Sequence, residues 1–297
     1  MAVKRLFLSV GAMKAGTTFL FNALSRHPDI YFTPEKELHY FAHTEGLDWE
    51  LQQPLRPRVD VTPIFVEPGK ILSPDFRRHR LSAVMHNRFS KLQDADRLRE
   101  IVKWYADRYL TDPVDEAWFD RVYAEAGDRW AADFSNYNAL LSDAGWQAVR
   151  RHAEQLRVLY VMRDPVERLW SHIKFELLPA GRRDALVNGD TEAVEKFLAS
   201  ASSAHARYDR IIESLKRNLA PEELFVVRLE DVLADMNGQL SRLADFMGIR
   251  QIDYSGVDPT RKANKTEEIE MPSSVRNSFE TALSNEKAKF IGTSSWR

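Results

Sequence analysis

The sequence predicts an α/β fold in which helices cover both faces of a central parallel β-sheet. Short apolar runs alternate with amphipathic segments along the chain, which is the pattern of strand–helix units. Two of these runs, "RLFLSV" (5–10) and "RVLYVMR" (157–163), are almost continuously apolar. Strands of a parallel sheet have this composition because helices bury them on both faces. Each run is followed at once by a segment with helical spacing, so we expect helices to connect the strands.

The first strand is followed by a predicted helix and a second strand. Residues 17–27 have apolar side chains at helical spacing and predict the helix. The second strand is predicted at 29–32, and a loop at 34–43 leads into a short helix or turn. This order of elements is typical of a parallel sheet.

Residues 44–96 are predicted to form an irregular insertion or lid. They contain five of the thirteen prolines and the most basic patch of the chain, "RRHR" (77–80). Two interpretations of this patch are open. It could recognise an acceptor such as an anionic sugar or a lipid headgroup, or it could be a solvated face.

The alternation of helices and strands continues to the end of the chain. Helices are predicted at 95–110, 114–126, 143–156, 164–176, 238–248 and 272–290, two more within 191–219, and strands at 129–135, 157–163 and 223–229. The helix at 164–176 has a clear start, with Asp164 as N-cap, Pro165 at the first position and Glu167 completing a capping box. Three tryptophans at helical apolar spacing are predicted to lie in the core: Trp104, Trp118 and Trp170.

The composition is that of an ordinary globular protein and excludes several kinds of chemistry. Of the 297 residues, 44% are hydrophobic and 29% are charged, and there is no cysteine. Disulfides, thiolate metal sites and cysteine nucleophiles are therefore excluded. The net charge of −2 means that any affinity for an anion must come from a local cluster of charges. Nothing favours nucleic acid as a partner. Without repeats or a low-complexity linker, we expect one domain over 1–297.

The apolar runs are too short for a membrane-spanning helix. The N-terminal "MAVKRLFLSV" is also too short for a signal peptide, and no later run approaches the roughly 20 residues that a span needs. We therefore expect a cytoplasmic protein without an integral membrane segment. The sequence makes no prediction about the oligomeric state.

The segment "GAMKAGTT" (11–18) lies between the first predicted strand and the first helix, where a glycine-rich turn can bind phosphate. Its glycines have the spacing of the nucleotide-binding pattern G-x-x-x-x-G-K-[ST]. However, Lys14 lies inside the loop and Thr17 occupies the position of the usual lysine. This displacement argues against ordinary ATP or GTP hydrolysis, in which the lysine reaches the β/γ-phosphates. Nor does the sequence contain a convincing carboxylate for Mg²⁺.

A second candidate phosphate contact follows the strand at 157–163. Arg163 ends this strand at the carboxyl edge, where open α/β sheets bind ligands. Ser171 follows about two helical turns later, so the two side chains could approach one phosphate from two sides. Each residue also has a simpler interpretation, a surface ion pair for Arg163 and a helix-surface hydroxyl for Ser171.

The two motifs "KAGTT" and "RDPVERLWS" together resemble the sulfotransferases that use 3′-phosphoadenosine 5′-phosphosulfate, and the resemblance extends over most of the chain. It implies a P-loop-like sulfotransferase fold, no metal, and adenosine 3′,5′-bisphosphate as a product. It also implies that the first motif binds the 5′-phosphosulfate, with Lys14 at the oxygen that bridges phosphorus and sulfur. Arg163 and Ser171 would then bind the 3′-phosphate. The donor-binding residues of the first motif are Lys14, Ala15, Gly16, Thr17 and Thr18.

The segment "TPEKELHYF" (33–41) is similar to "KE-x-H-F-F" of the carbohydrate-type sulfotransferases, the heparan-modifying enzymes and their bacterial relatives. This similarity implies that Glu37 is the base toward the acceptor hydroxyl, with Lys36 and His39 beside it. A hydroxyl that attacks sulfur must lose its proton, so a carboxylate or imidazole within reach suits the chemistry. His39 is a second candidate base or an orienting partner. Without the similarity, residues 35–37 could be a solvated run of charges.

Two further segments contain candidate site residues. The basic loop "TRKANKTE" (260–267) resembles a family segment that closes over the donor, or it is simply an exposed basic loop. Its candidate donor contacts are Arg261, Lys262, Asn264 and Lys265. The segment "DFSNYN" (133–138) resembles D-F-[ST]-P-x-Y, with Asn136 where proline is usual. Asp133 or Ser135 is predicted to line the acceptor pocket.

The favoured function is therefore in-line transfer of a sulfuryl group to an acceptor hydroxyl, without a metal. A phosphate-loop kinase or nucleotidase is the main alternative, but it requires a lysine next to Thr17 and a Mg²⁺ carboxylate. A non-catalytic binder of the bisphosphate is the other alternative. Polysaccharide, glycolipid, small-alcohol and carrier-bound polyketide hydroxyls, including those sulfated to drive olefin formation, are all compatible acceptors.

Overall fold

The computed structural model describes residues 3–47, 71–89, 95–199, 201–258 and 267–292, and these form the predicted α/β fold. The strands are β1 Val3–Ser9, β2 Ile30–Phe32, β3 Trp130–Asp133, β4 Ala153–Met162 and β5 Leu224–Arg228. Within the described residues they form one parallel sheet in the order β2-β3-β1-β4-β5. The predicted fold class is therefore confirmed.

Helices surround this sheet. Within the described ranges they are α1 Thr17–Leu24, α2 Tyr40–Thr44, α3 Pro74–Phe89, α4 Ala95–Trp104, α5 Glu116–Val122, α6 Asp143–Arg151, α7 Pro165–Leu177, α8 Arg183–Val187, α9 Thr191–Ala199, α10 Tyr208–Asn218, α11 Leu229–Ala234, α12 Met236–Met247, α13 Ser273–Ala282 and α14 Ser284–Gly292. A π-helical turn follows α4 at Tyr105–Tyr109, and short 3₁₀ turns lie at Asn136–Leu140, Ala201–Ala206 and Pro221–Glu223.

Strands β1 and β4 form the centre of the sheet, and their pairing continues into the segment after β1. The ladder runs from Val3 opposite Ala153 to Ser9 opposite Leu159. Beyond it, the Ala12 N–H donates to the Val161 carbonyl at 2.7 Å. The loop that follows β1 is therefore attached to the carboxyl end of β4, so the sheet itself brings the two predicted phosphate motifs together.

Two clusters of buried apolar side chains stabilise this arrangement. The larger covers the sheet and includes the aromatic side chains of α4, α5 and the π-helical turn. The smaller lies between α7, α9 and α13 and fixes α7 beside the site. Trp104 and Trp118 belong to the first cluster and Trp170 to the second, as the sequence predicted.

The region predicted to be irregular, 44–96, contains a 16-residue helix, α3. The prediction was wrong there because polar side chains dominate this helix and conceal its period. Arg77 of the "RRHR" patch is buried, and its guanidinium donates to the carbonyls of Leu72, Tyr109 and Thr111. It also pairs with Asp112. Residues 48–70 and 90–94 lie outside the described residues, so a lid there stays a prediction.

Other differences from the sequence predictions occur at helix ends. The helix predicted at 95–110 changes to π-helical geometry after Trp104, and the one predicted at 272–290 is interrupted at Leu283. The helix predicted at 143–156 ends at Arg151, because the chain enters β4 two residues later.

The cap of α7 is confirmed, but its capping box is not. Asp164 accepts hydrogen bonds from the Val166 and Glu167 N–H groups, as expected of an N-cap. Its own N–H donates to Glu230 at 3.0 Å. Glu167 instead pairs with Arg276 at 3.1 Å. A carboxylate from α11 therefore replaces the local partner that the sequence predicted.

In the described part of the chain, no helix combines the length and the apolar character that crossing a membrane requires.

Replacement of Arg77 by Met is expected to destabilise the protein by about 3 kcal/mol, because three buried carbonyls and Asp112 lose their partner. Urea unfolding measures this loss. The matched control is Arg78→Met, since Arg78 is 70% exposed and its i,i+3 pair with Asp75 contributes little. Equal stability of the two variants would contradict the account of Arg77.

Candidate functional site

The segment between β1 and α1 forms a tight loop that depends on left-handed backbone angles. Gly11, Lys14 and Gly16 have φ values of 132°, 67° and 87°. A Cβ atom at Gly16 would also lie 2.6 Å from the Leu229 Cδ1 atom, so a side chain is excluded there by both strain and space. The loop therefore turns sharply into α1 against α11.

The loop presents backbone N–H donors that have no acceptor in the described part of the chain. The Ala15 N–H closes a turn onto the Ala12 carbonyl at 3.0 Å. Several other N–H groups of the loop and of the first turn of α1 donate no hydrogen bond to a described residue, among them those of Lys14, Gly16, Thr17 and Thr18. Unsatisfied N–H groups at a helix N-terminus bind anions because the helix dipole and the donors act in the same direction.

Two arginines contact the carbonyl side of the same loop. Arg163 donates from its Nη1 atom to the Lys14 carbonyl at 3.4 Å, and Arg168 donates to the Met13 carbonyl at 3.2 Å. Tyr208 fixes the backbone of Arg163, since its hydroxyl donates to the Arg163 carbonyl at 2.8 Å. The structure therefore brings the predicted Arg163 to the loop and adds Arg168, which the sequence did not indicate. Ser171 lies half-buried on α7.

The Lys14 side chain lies between the loop and the segment that contains Glu37. Its ammonium group is 4.3 Å from the centre of the Phe175 ring, an arrangement typical of a cation–π contact. Burial lowers the pKa of Lys14 to about 8, and the nearby Arg163 contributes in the same direction. Glu37 opposes this shift, so the lysine and the predicted base are electrostatically coupled.

The predicted base Glu37 lies between two cation-forming side chains. Lys36 Nζ is 2.6 Å from Glu37 Oε1, and His39 Nε2 is 3.6 Å from Glu37 Oε2. Burial alone would raise the pKa of the Glu37 carboxyl, but Lys36, His39 and Arg80 together hold it well below its usual range. Glu37 is therefore ionised at neutral pH and able to accept a hydrogen bond from a hydroxyl.

The neighbouring Glu35 is buried and paired. Residues 35–37 are therefore not the solvated run of charges that the sequence left open as an alternative. The side chain of Glu35 is 1% exposed. One carboxylate oxygen accepts from Arg80 Nε at 3.0 Å, and the other accepts from the Tyr105 hydroxyl at 2.9 Å. Arg80, part of the predicted basic patch, is thus turned toward the site. The pair of Glu35 with Arg80 anchors the start of the Glu37 segment to α3.

Asp133 and Ser135 fix the backbone on the other side of Glu37. Asp133 accepts from the Leu38 N–H at 3.2 Å and from the Ser135 hydroxyl at 2.6 Å. Ser135 in turn accepts from the His39 N–H at 2.7 Å. Both side chains are fully buried, and burial raises the pKa of Asp133. They position the segment through its backbone, whereas their predicted contact with an acceptor stays a prediction.

The rings of His39, Tyr137 and His205 pack one after another beside Glu37. The Tyr137 ring lies 5.1 Å from the His39 ring and 5.4 Å from that of His205, measured between centroids. His205 is buried, and neither of its ring nitrogens has a partner among the described residues. Burial, with the neighbouring Arg168, lowers its pKa well below the usual value. His205 was not predicted, because an isolated histidine in an Ala/Ser-rich segment carries no motif.

Most of the predicted basic loop lies outside the residues that the structure describes. Residues 259–266 are not among the described residues, so the donor contacts of this loop stay predictions: Arg261, Lys262, Asn264 and Lys265. The described residues contain no group of three or more His, Asp or Glu side chains that could hold a metal ion.

The fold and these contacts define an α/β protein with a tight glycine-containing loop between its first strand and helix, near the half-buried carboxylate of Glu37. The model of the Sulfotransferase family matches residues 7–253. The chain therefore belongs to the sulfotransferase family, and the resemblance noted in its motifs is confirmed. Among curated proteins no match was found.

Solved structures of bacterial sulfotransferases have the same fold. The sulfotransferase from Alicyclobacillus acidocaldarius is 18% identical with a TM-score of 0.57, and the match covers 98% of this chain and 97% of that one. The sulfotransferase domain of the Synechococcus PCC 7002 olefin synthase is 15% identical with a TM-score of 0.54, covering 99% and 96%. A sulfotransferase from Mycobacterium avium is 13% identical with a TM-score of 0.50, covering 100% and 79%. At these identities the likeness shows the fold alone.

Replacement of Ser135 by Ala is expected to destabilise the protein by about 1–3 kcal/mol, because the buried His39 N–H and Asp133 each lose a partner. Urea unfolding measures the loss, and Ser25→Ala serves as the control because Ser25 is exposed and its hydroxyl donates to the Asn22 carbonyl of the adjoining α1. Unchanged stability of the Ser135 variant would contradict the positioning role given to this hydroxyl.

Proposed function

We propose that this sulfotransferase uses 3′-phosphoadenosine 5′-phosphosulfate as its donor and transfers the sulfuryl group to the hydroxyl of an acceptor. The observation that carries the proposal is the loop at 11–18, in which the N–H groups of Lys14, Gly16, Thr17 and Thr18 have no acceptor among the described residues and lie near the ammonium of Lys14. These donors fit a phosphosulfate, which is anionic and offers only acceptor oxygens.

The donor would bind along the carboxyl edge of β1 and β4. Its phosphosulfate would accept from the loop N–H groups and from the hydroxyls of Thr17 and Thr18. Its 3′-phosphate would lie at Arg163 and Ser171, where a guanidinium and a hydroxyl suit a phosphate group. Arg261, Lys262, Asn264 and Lys265 remain candidate contacts of the donor on the strength of the sequence resemblance alone.

Glu37 and Lys14 have complementary roles in the transfer. The donor supplies the sulfuryl group, and a bond from the acceptor oxygen to sulfur forms as the bond from sulfur to the phosphate oxygen breaks. Glu37 accepts the proton of the acceptor hydroxyl, and its depressed pKa keeps it ready for this at neutral pH. Lys14 stabilises the negative charge that develops on the leaving phosphate oxygen. His39, 3.6 Å from Glu37, orients the carboxylate.

The acceptor belongs to a broad class in this proposal, the hydroxyls of carbohydrates, lipids and small alcohols. All three present the same reacting group to Glu37.

The substitution Glu37→Gln is expected to lower transfer by roughly 10²-fold or more, the usual effect of a lost general base. Release of adenosine 3′,5′-bisphosphate from the donor is measured in the presence of a panel of sugars and alcohols. Binding of the bisphosphate should not change, since the amide keeps the shape of the side chain. Glu154→Gln, on an exposed residue, is the control. Wild-type transfer by the Glu37 variant would remove this residue from the mechanism.

The affinity for the bisphosphate is expected to fall as the pH rises from about 7 to about 9.5, because Lys14 loses its proton near pH 8 in the free protein. The phosphates are already fully ionised in this range, so the lysine causes the change. Calorimetric titration at several pH values measures it. In Lys14→Arg the affinity should be independent of pH, since arginine stays protonated. A wild-type affinity that is constant over this range would contradict the role of Lys14.

A further inference from the structure

Arg168 is a buried cation beneath the candidate phosphate loop, and neither sequence motif assigns it a role. It lies on α7, five residues after Arg163, and its side chain is 0% exposed. Its guanidinium makes two described contacts, both from Nη1: a hydrogen bond to the Met13 carbonyl at 3.2 Å and a longer contact with His172 Nδ1 at 3.5 Å. The Nε and Nη2 atoms have no partner among the described residues.

No carboxylate among the described residues compensates this charge directly. The phenols of Tyr160 and Tyr208 lie nearby, but burial raises the pKa of Tyr208 to about 12 and holds the pKa of Tyr160 well above its usual value, so both are neutral. His172, which contacts Arg168, has its Nε2 atom 3.4 Å from the carboxylate of Glu176. Glu176 is itself 34% exposed. Burial accordingly lowers the pKa of Arg168.

Arg77, another buried arginine of this protein, differs from Arg168 because its guanidinium does have partners. Arg77 is equally buried, yet three carbonyls and Asp112 accept its hydrogen bonds. A buried charge without a partner destabilises a folded protein. A protein can retain such a charge at a binding site, where a ligand of opposite charge completes the pair.

The contact of Arg168 indicates which ligand group it serves. The Met13 carbonyl and the Lys14 N–H belong to the same peptide unit. A cation that binds the carbonyl polarises this unit and strengthens the N–H as a donor. That N–H is one of the loop donors for which the described residues provide no acceptor. The positive charge behind the loop and the donors in front of it therefore act on the same anion.

We propose that Arg168 is a positioning residue whose buried charge is reserved for the anionic donor and acts on it through the Met13–Lys14 peptide. This inference rests on the proposed function, since it takes the phosphosulfate end of the donor as the missing counter-charge. In the ligand-free protein Arg168 is a source of instability, and binding of the donor removes that instability.

The test compares Arg168→Met, Arg168→Lys and Arg77→Met in two measurements: thermal unfolding without ligand, and calorimetric titration with adenosine 3′,5′-bisphosphate. We expect Arg168→Met to unfold at the wild-type temperature or above and to bind the bisphosphate about tenfold more weakly or worse, a loss of about 1.4 kcal/mol or more. Arg168→Lys, which keeps the charge, should bind more tightly than the Met variant. Arg77→Met should show the reverse, a lower unfolding temperature with wild-type affinity.

Three results would overturn the inference. Arg168→Met could unfold at a lower temperature than the wild type, or fail to fold, which would mean that the charge is already compensated. It could bind the bisphosphate like the wild type. The Lys and Met variants could also bind equally, which would exclude an effect of charge. Failure of the proposed function would be visible elsewhere, in a wild-type protein that does not bind the bisphosphate.

Discussion

The orientation of the peptide units at 11–16 is the constraint on which the rest of the site depends. Carbonyls of this loop face protein groups: Gly11 accepts from Val161 of β4, Met13 from Arg168 and Lys14 from Arg163. Because these carbonyls face the sheet and α7, N–H groups of the loop remain available on the opposite side. A parallel sheet with β1 next to β4 is the framework that allows this, since both strands end at one edge.

The balance of charge at this edge follows from the same arrangement. Lys14, Arg163 and Arg168 lie around the loop, and the acidic group coupled to Lys14 is Glu37. Glu35 contributes no free charge, because Arg80 pairs with it. A chain with a net charge of −2 thus concentrates positive charge where an anion is to bind. The two segments that carry the chemistry are therefore linked by electrostatics as well as by position.

Rigid support for Glu37 comes from buried polar contacts on both sides of its segment. Glu35 is fixed by Arg80 and Tyr105, and the backbone after Glu37 is fixed by Asp133 and Ser135. Such support limits the positions that the carboxylate can take, and precise placement contributes strongly to proton transfer in enzymes. The support lies in α3, the π-helical turn and the segment after β3, so elements outside both sequence motifs determine the geometry.

Local patterns were sufficient to predict the sheet, the loop, the helix cap at Asp164 and the juxtaposition of Glu37 with His39. Each of these depends on residues that are close in sequence. Arg168 could not be predicted, because a single arginine on an amphipathic helix is usually exposed and its contact with Met13 spans 155 residues. The helix at 74–89 was missed for a related reason. The buried Arg77 and the half-buried Arg80 take positions where a periodicity argument expects apolar side chains.

In the proposed function, the loop at 11–18 binds a donor whose anionic group is not a nucleoside triphosphate. The most direct test is a calorimetric titration of the wild-type protein with adenosine 3′,5′-bisphosphate, with ATP–Mg²⁺ as the comparison. The account predicts micromolar or tighter binding of the bisphosphate and much weaker binding of ATP–Mg²⁺. Preference for ATP–Mg²⁺ would contradict it.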